Sequence, residues 1–115
     1  MTFGSARPIQ SYGPRGYRID DKLYPGPCLV MPSGVQPWSG LGDMAAILAL
    51  QGEIDIILLG TGRELLWPQP DFRCAIEAAG FGLEVMSSPS ACRSYNVMLA
   101  EVRPVAAALL PIVPG

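Results

Sequence analysis

The chain has 115 residues, enough for one domain around one core; 50% of them are apolar and only 16% are charged. This balance excludes a disordered chain, and a net charge of −2 without a dense run of lysine or arginine excludes a nucleic-acid-binding footprint. No apolar stretch reaches the roughly 20 residues that span a bilayer, and the N-terminus lacks the apolar core of a secretion signal. We therefore expect a cytoplasmic bacterial protein without a membrane span.

The residue types that are missing limit the chemistry further. The chain has no histidine, which removes Ser-His-Asp and Cys-His nucleophilic sites, histidine-ligated metals and histidine acid/base chemistry. Cys28, Cys74 and Cys92 are an odd number without CxxC spacing, so neither a disulfide framework nor a cysteine zinc site is indicated. We therefore assign no catalytic residue, no metal and no cofactor, and favour a protein that is not an enzyme.

The N-terminal third is rich in glycine and proline, with short β-type runs between them. Residues 1–8 are expected to be a flexible N-terminus of a single domain that covers 1–115. "GYRID" and "PCLVM" predict strands, "DKLYPG" predicts a turn region with one short strand, and "PSGVQPW" predicts a loop. The N-terminal portion is thus expected to be rich in β-structure.

From residue 43 the pattern alternates between helices and strands. "DMAAILALQG" predicts a short helix that begins at Asp43 and ends at Gly52, followed by a buried strand over 54–59. "QPDFRCAIEAAG" predicts a helix over 70–79 with proline in its first turn, and the next strand covers 83–87. These elements predict a right-handed βαβ unit, and hence an α/β fold with helices covering a mixed sheet.

The last helix and strand complete this alternation. Ser88 is expected to be the N-cap of the third helix, with Pro89 in its first turn. Its buried face is predicted to contain Ala91 or Cys92, Tyr95, Leu99 and Val102. "VAAALLPI", between Pro104 and Pro111, predicts a buried strand.

A Gly-Thr-Gly sequence after the predicted 54–59 strand suggests a small-anion site. A parallel βαβ unit brings this loop close to the N-terminus of the third helix, where free N–H groups and the helix dipole favour anions. The motif lacks the third glycine of a dinucleotide loop and the Gly-Lys-Ser/Thr of a P-loop. The alternative is a tight turn that needs glycine, with the nearby polar side chains bonded to loop carbonyls. The candidate ligand-binding residues are Gly60, Thr61, Gly62, Ser88, Ser90, Arg93 and Asn96.

Two tryptophans beside prolines provide the other candidate surface. Trp38 and Trp67 both lie in predicted loops, where they either cover the edge of the core or are exposed to a partner protein. Arg63, in the loop that leads to Trp67, is added to the candidate partner surface.

Several segments together resemble a known family of small domains. "VQPW" followed by a helix, "IILLGTG", "AGFGLEVM" and "ACRSYNVMLAEVRPVAAALLP" occur in the order seen in the family that includes mitochondrial NADH dehydrogenase (complex I) assembly factor 3 and an adipogenesis-associated relative. The resemblance implies a three-layer α/β fold with a central mixed sheet flanked by helices and an antiparallel last strand. The chain departs from the family at Ser87-Ser88, where relatives usually have Asp-Thr.

The resemblance also implies a function. It favours a non-enzymatic interaction or assembly domain that binds protein partners, such as membrane-complex or translocon subunits, and so works at the periphery of the inner membrane. The alternative is a small-anion or metabolite-binding protein, or a minimal enzyme, that uses the crevice between the Gly-Thr-Gly loop and the third helix.

Overall fold

A computed structural model describes residues 7–113 of the chain. The expectation of a flexible segment over residues 1–8 therefore falls largely outside the described residues. Arg7 is described, and its guanidinium lies 3.4 Å from a carboxylate oxygen of Asp20.

The N-terminal portion folds into a three-stranded antiparallel sheet. Its strands are β1 (Ile9–Gly13), β2 (Gly16–Ile19) and β3 (Lys22–Tyr24), in the order β1-β2-β3. The second and third strands confirm the strand predicted from "GYRID" and the short strand allowed within "DKLYPG". β1 was not predicted, because only Ile9 of its five residues is buried and the strand has no apolar alternation to detect.

The central sheet has five strands and mixed directions. They are β4 (Cys28–Met31), β5 (Gly34–Pro37), β6 (Ile56–Gly60), β7 (Gly82–Met86) and β8 (Val105–Leu109), and their order in the sheet is β5-β4-β8-β6-β7. The prediction of a loop over "PSGVQPW" is wrong for β5, which pairs antiparallel with β4. Its only partly buried residue is Val35, so the segment contains too little apolar pattern to distinguish it from a loop.

The direction of the last strand depends on which neighbour is considered. β8 runs antiparallel to β4, as the family resemblance implies, but parallel to β6. The parallel pairing arises because α3 (Ser88–Ala100) forms a crossover between β7 and β8, and such connections join parallel strands. β6, α2 (Pro70–Ala78) and β7 form the predicted βαβ unit, with β6 and β7 parallel.

In the described part of the chain, three helices cover the two faces of this sheet. With α1 (Met44–Leu48) and α2 on one face, the buried cluster includes Trp38, Ile47, Phe72 and Ile76. On the other face, α3 and the three-stranded sheet enclose a second cluster that includes Tyr17, Cys92 and Tyr95. The alanine-rich β8 lies at the centre and contributes alternate residues to both clusters, which confirms a three-layer α/β architecture.

The helix ends agree with the sequence in part. The prediction that the first helix ends at Gly52 is wrong, because α1 ends at Leu48 and turns cover residues 49–53. The Asp43 side chain accepts a hydrogen bond from the Ala46 N–H and caps α1, as predicted. Pro70 lies in the first turn of α2, and Gly80 follows its end with φ +97°. The N-cap of α3 is Ser87 rather than Ser88, so the predicted cap is wrong by one residue.

The end of α3 also differs from the prediction. Val102 does not belong to the buried face: it is 88% exposed and lies beyond the helix. The helix ends at Ala100 because the backbone turns into a left-handed conformation at Val102, with φ +58°. The apolar spacing of the helix continues in the sequence to Val102, although the helix itself ends at Ala100, and this is why the prediction was too long.

Candidate functional site

The Gly-Thr-Gly loop packs directly against the first turn of α3. The Gly62 N–H donates to Ser88 Oγ at 2.9 Å, and the Ser88 N–H donates to the Gly62 carbonyl at 2.7 Å. A Cβ placed on Gly60 would lie only 2.9 Å from Ser88 Oγ and 3.0 Å from Ser88 Cα, so glycine is required here for close approach. The structure thus brings Gly60, Gly62 and Ser88 together as predicted, but in mutual contact.

The hydrogen-bond donors at the start of α3 are already used. The Ser88 N–H bonds to the loop, Pro89 has no N–H, and the Ser90 N–H donates to the side chain of its N-cap, Ser87, at 3.4 Å. Anion binding at a helix N-terminus requires free N–H groups in this turn. The geometry therefore favours the structural interpretation of the motif over the anion site.

Thr61 organises the loop that follows. Its Oγ1 donates to the Glu64 carbonyl at 2.6 Å and accepts a hydrogen bond from the Leu66 N–H at 3.0 Å. The Thr61 N–H donates to the Met86 carbonyl at the end of β7. One buried hydroxyl thus fixes the path of the chain from Thr61 to Leu66.

The side chains of Arg93 and Asn96 form hydrogen bonds with β1 of the N-terminal sheet rather than with the glycine loop. The exposed Arg93 guanidinium donates to the Tyr12 hydroxyl at 3.1 Å and to Ser90 Oγ at 3.4 Å. The Asn96 side chain accepts from the Ile9 N–H at 2.8 Å and donates to the Ile9 carbonyl at 2.9 Å, as a neighbouring strand would. Asn96 therefore attaches β1 to α3 and lies apart from the Gly-Thr-Gly junction.

The two tryptophans have different environments. Trp38 is 3% exposed and its Nε1 donates to the Asp43 carbonyl at 3.0 Å, so it belongs to the core and cannot contact a partner. Trp67 is 70% exposed, and Arg63 is exposed in the same loop. Of the predicted partner surface, the structure thus leaves Arg63 and Trp67 accessible.

Two further apolar side chains in the same loop as Trp67 were not among the predicted site residues. Leu65 and Leu66 are 47% and 62% exposed, and Leu66 lines a shallow surface cavity of about 290 Å³ together with Thr61, Arg63, Pro111 and Val113. Consecutive exposed leucines followed by tryptophan are unusual on a surface. The signal was present in "RELLWPQP", where a run of apolar residues occurs within a predicted loop. We call Leu65, Leu66 and Trp67 the apolar loop.

Buried titratable groups are held in their neutral forms. Burial raises the pKa of the Cys28 and Cys92 thiols to about 12, and it also raises the pKa of Tyr17 and Tyr95 above the usual range. A thiol must ionise to act as a nucleophile, so Cys28 and Cys92 are unreactive at neutral pH. The Tyr17 hydroxyl donates to the Leu110 carbonyl, whereas the buried Tyr95 hydroxyl lacks the hydrogen bond expected of it among the described residues.

Two further properties concern the described residues only. Between Arg7 and Val113, no three cysteine, aspartate or glutamate side chains are grouped as metal ligands would be. None of the helices in this part of the chain has the length and apolar character needed to cross a bilayer.

The three-layer fold, with its closed glycine loop and exposed apolar loop, defines a small α/β domain. The chain belongs to the family described as "Protein of unknown function (DUF498/DUF598)", which matches residues 9–110. The resemblance predicted from the sequence is confirmed by relatives named as complex I assembly factors.

Relatives and solved structures cover most of the chain. An uncharacterized protein of Rhodobacter capsulatus is 42% identical over 113 residues, which cover 98% of this chain and 90% of the relative. The NADH dehydrogenase [ubiquinone] 1 alpha subcomplex assembly factor 3 of Homo sapiens is 32% identical over 111 residues, or 90% of this chain and 60% of that protein. A crystal structure described as an outer membrane protein from Bartonella henselae has a TM-score of 0.83 and 32% identity, and covers 96% of this chain and 99% of that one.

Proposed function

We propose that this chain is a non-catalytic interaction domain that assists the assembly of a respiratory or other membrane complex, and that it binds a partner protein through the apolar loop. The observation that carries the proposal is the exposure of Leu65, Leu66 and Trp67 on a loop whose backbone is fixed by Thr61. Large apolar side chains grouped on the surface commonly mark sites of protein contact, and tryptophan is enriched among the residues that dominate binding.

The fixed backbone of this loop supports binding. A partner that docks on a loop already held in one conformation does not have to order it, so less free energy is lost on association. The Thr61 hydrogen bonds to Glu64 and Leu66 supply this ordering. Arg63, on the same loop, adds a positive charge beside the apolar side chains.

The relatives support the assembly role. The human relative is named an assembly factor, and the chain spans 60% of its length at 32% identity. The proposal therefore includes subunits of a respiratory complex or of a translocon as partners, and a location in the bacterial cytoplasm at the periphery of the inner membrane. The hydrogen bonds that close the Gly62–Ser88 junction favour this proposal over a small-anion site there.

The test is site-specific photo-crosslinking in cells. A photoreactive amino acid at position 67 is compared with one at Val97, which is also an exposed apolar position and lies on α3. We expect position 67 to capture membrane-complex or translocon subunits that position 97 does not capture, and Leu66→Asp to abolish the capture without a change in thermal stability. Equal capture at both positions, or capture unchanged by Leu66→Asp, would overturn the proposal.

A metabolite screen distinguishes the proposed interaction domain from the alternative, a protein that binds a small anion or metabolite. Thermal-shift measurements on the purified protein are made with phosphate and with anionic metabolites. If the proposal is right, none of these anions produces a saturable rise in melting temperature that is lost in Ser88→Ala. A saturable shift that depends on Ser88 and Arg93 would favour the small-ligand function instead.

A further inference from the structure

The outer edge of β7 has backbone groups that no other described strand uses. β7 is the last strand of the five-stranded sheet and pairs only with β6 among the described strands. The Gly82 N–H donates to the Asp55 carbonyl, and the Met86 carbonyl accepts from the Thr61 N–H. Because bonding alternates along a strand, residues 82, 84 and 86 bond to β6, and the N–H and C=O groups of Leu83 and Val85 face outward.

Within residues 7–113, each of the other three sheet edges contains a feature that hinders strand addition. On β1, the Asn96 side chain is hydrogen-bonded to both the N–H and the C=O of Ile9. β3 is only three residues long and includes Lys22, and β5 ends in Pro37, which has no N–H. Short length, lysine and proline are the usual means of protecting an edge, and β7 contains neither a lysine nor a proline.

The only charge on β7 determines which strand can pair with it. Glu84 is exposed, whereas its neighbours Leu83 and Val85 pack into the α1/α2 side of the core. In a full-length antiparallel pairing of β7 with a second copy, Leu83 would pair with Val85 of the other copy and the two Glu84 side chains would face each other. Like charges directly opposite each other destabilise a strand pair, so self-pairing is disfavoured.

We propose that the β7 edge binds an extended segment of a different protein, which adds as a sixth strand and places a lysine or arginine opposite Glu84. Glu84 lies at a position that does not bond outward, so in an antiparallel addition the facing side chain would be at the closer of the two cross-strand spacings. The outward groups of Leu83 and Val85 supply the main-chain hydrogen bonds, and Glu84 supplies the selectivity. This surface does not include the apolar loop and does not depend on its function.

The probes are two blocked seven-residue peptides of alternating threonine and valine that differ only in a central lysine or glutamate. They are titrated to millimolar concentration into ¹⁵N-labelled protein. We expect the lysine peptide to shift the Leu83 and Val85 amide signals and slow their hydrogen exchange, with at least about tenfold preference over the glutamate peptide. Glu84→Lys should reverse the preference.

A backbone variant distinguishes strand addition from simple charge attraction. Val85→Pro removes an outward N–H without breaking a bond to β6, and should weaken lysine-peptide binding about tenfold or more. Val85→Thr keeps the N–H and the branched shape and should bind as the original does. Trp67→Ala should leave peptide binding unchanged. The peptide titration therefore tests the β7 edge alone, and the crosslinking at position 67 tests the apolar loop alone.

Three outcomes would overturn the proposal. The first is that neither peptide perturbs Leu83 and Val85, and the second is binding that Glu84→Lys does not alter. The third is concentration-dependent dimerisation that protects the same two amides, because a second copy would then cover the edge.

Discussion

Gly62 and Ser88 exchange two hydrogen bonds across the junction of the glycine loop and α3. The backbone N–H of Gly62 donates to Ser88 Oγ at 2.9 Å, and the backbone N–H of Ser88 donates to the Gly62 carbonyl at 2.7 Å. Ser88 is fully buried and also donates through Oγ to the Leu110 carbonyl at 3.3 Å. This serine therefore joins the ends of β6 and β8 to α3.

The first prediction concerns this serine. Ser88→Ala leaves a buried Gly62 N–H without an acceptor, so the free energy of unfolding should fall by about 1–3 kcal/mol. Ser90→Ala is the control, since its Oγ contacts only Ser87 Oγ and the exposed Arg93, and should change stability by at most about 0.5 kcal/mol. Urea denaturation measures both. A Ser88→Ala curve that coincides with the unsubstituted protein would contradict the structural role.

A helix or strand is predictable from this sequence where it contains buried apolar residues or clear end signals. β6, α2 and β7 were predicted because each has enough buried residues or end signals, such as Pro70 and Gly80, to specify itself. β1 and β5 are edge strands with mostly exposed residues, and only their pairing partners define them.

For the candidate site too, the sequence does not reveal contacts that depend on tertiary packing. The sequence grouped Ser88 with Arg93 and Asn96 because they share one helix, but it could not show which neighbour each side chain contacts. The structure directs Asn96 to Ile9 and Arg93 to Tyr12, both in a strand that the sequence did not predict. Helical spacing gives the side of a helix, whereas hydrogen-bond partners depend on the tertiary packing.

The second prediction compares Asn96, which bonds to the backbone of β1, with the exposed Arg93. Asn96→Ala removes both side-chain bonds to Ile9, and we expect it to lower the free energy of unfolding by about 1–2 kcal/mol and to accelerate amide exchange in β1. Arg93→Ala should change stability by no more than about 0.5 kcal/mol, because its guanidinium and its partner Tyr12 are both exposed. Denaturation and hydrogen-exchange mass spectrometry test the pair. Equal losses in the two variants would show that the Asn96 contacts do not hold β1.

The third prediction is a stabilising substitution at Val102. The Val102 N–H donates to the Leu99 carbonyl and the Arg103 N–H donates to the Met98 carbonyl, a helix ending in which glycine usually occupies the left-handed position. A branched side chain at φ +58° is strained there. Val102→Gly should raise the free energy of unfolding by about 1 kcal/mol. Val102→Ala removes the branched side chain but keeps a Cβ, and should gain less; an equal gain would place the strain in the side chain rather than in φ.

The last prediction follows from the two buried thiols. Unfolded cysteines ionise near their ordinary pKa of 9.0, whereas burial holds the pKa of Cys28 and Cys92 at about 12 in the folded protein. The neutral thiols therefore contribute stability that is fully present below about pH 9 and is lost as the pH rises toward 12. Each thiol should lower the free energy of unfolding by about 1.4 kcal/mol per pH unit in this window.

Denaturation between pH 8 and pH 11 measures the combined loss from the buried thiols and, above about pH 10, from Tyr17 and Tyr95, whose pKa burial also raises. The difference that Cys28→Ala makes to this slope gives the contribution of one thiol. Cys74→Ser is the control, because Cys74 is exposed, and should leave the slope unchanged. At pH 7.5 a maleimide should label Cys74 rapidly and the other two cysteines only after unfolding. Rapid labelling of three thiols in the folded protein would contradict the burial of Cys28 and Cys92, and with it the expected alkaline loss of stability.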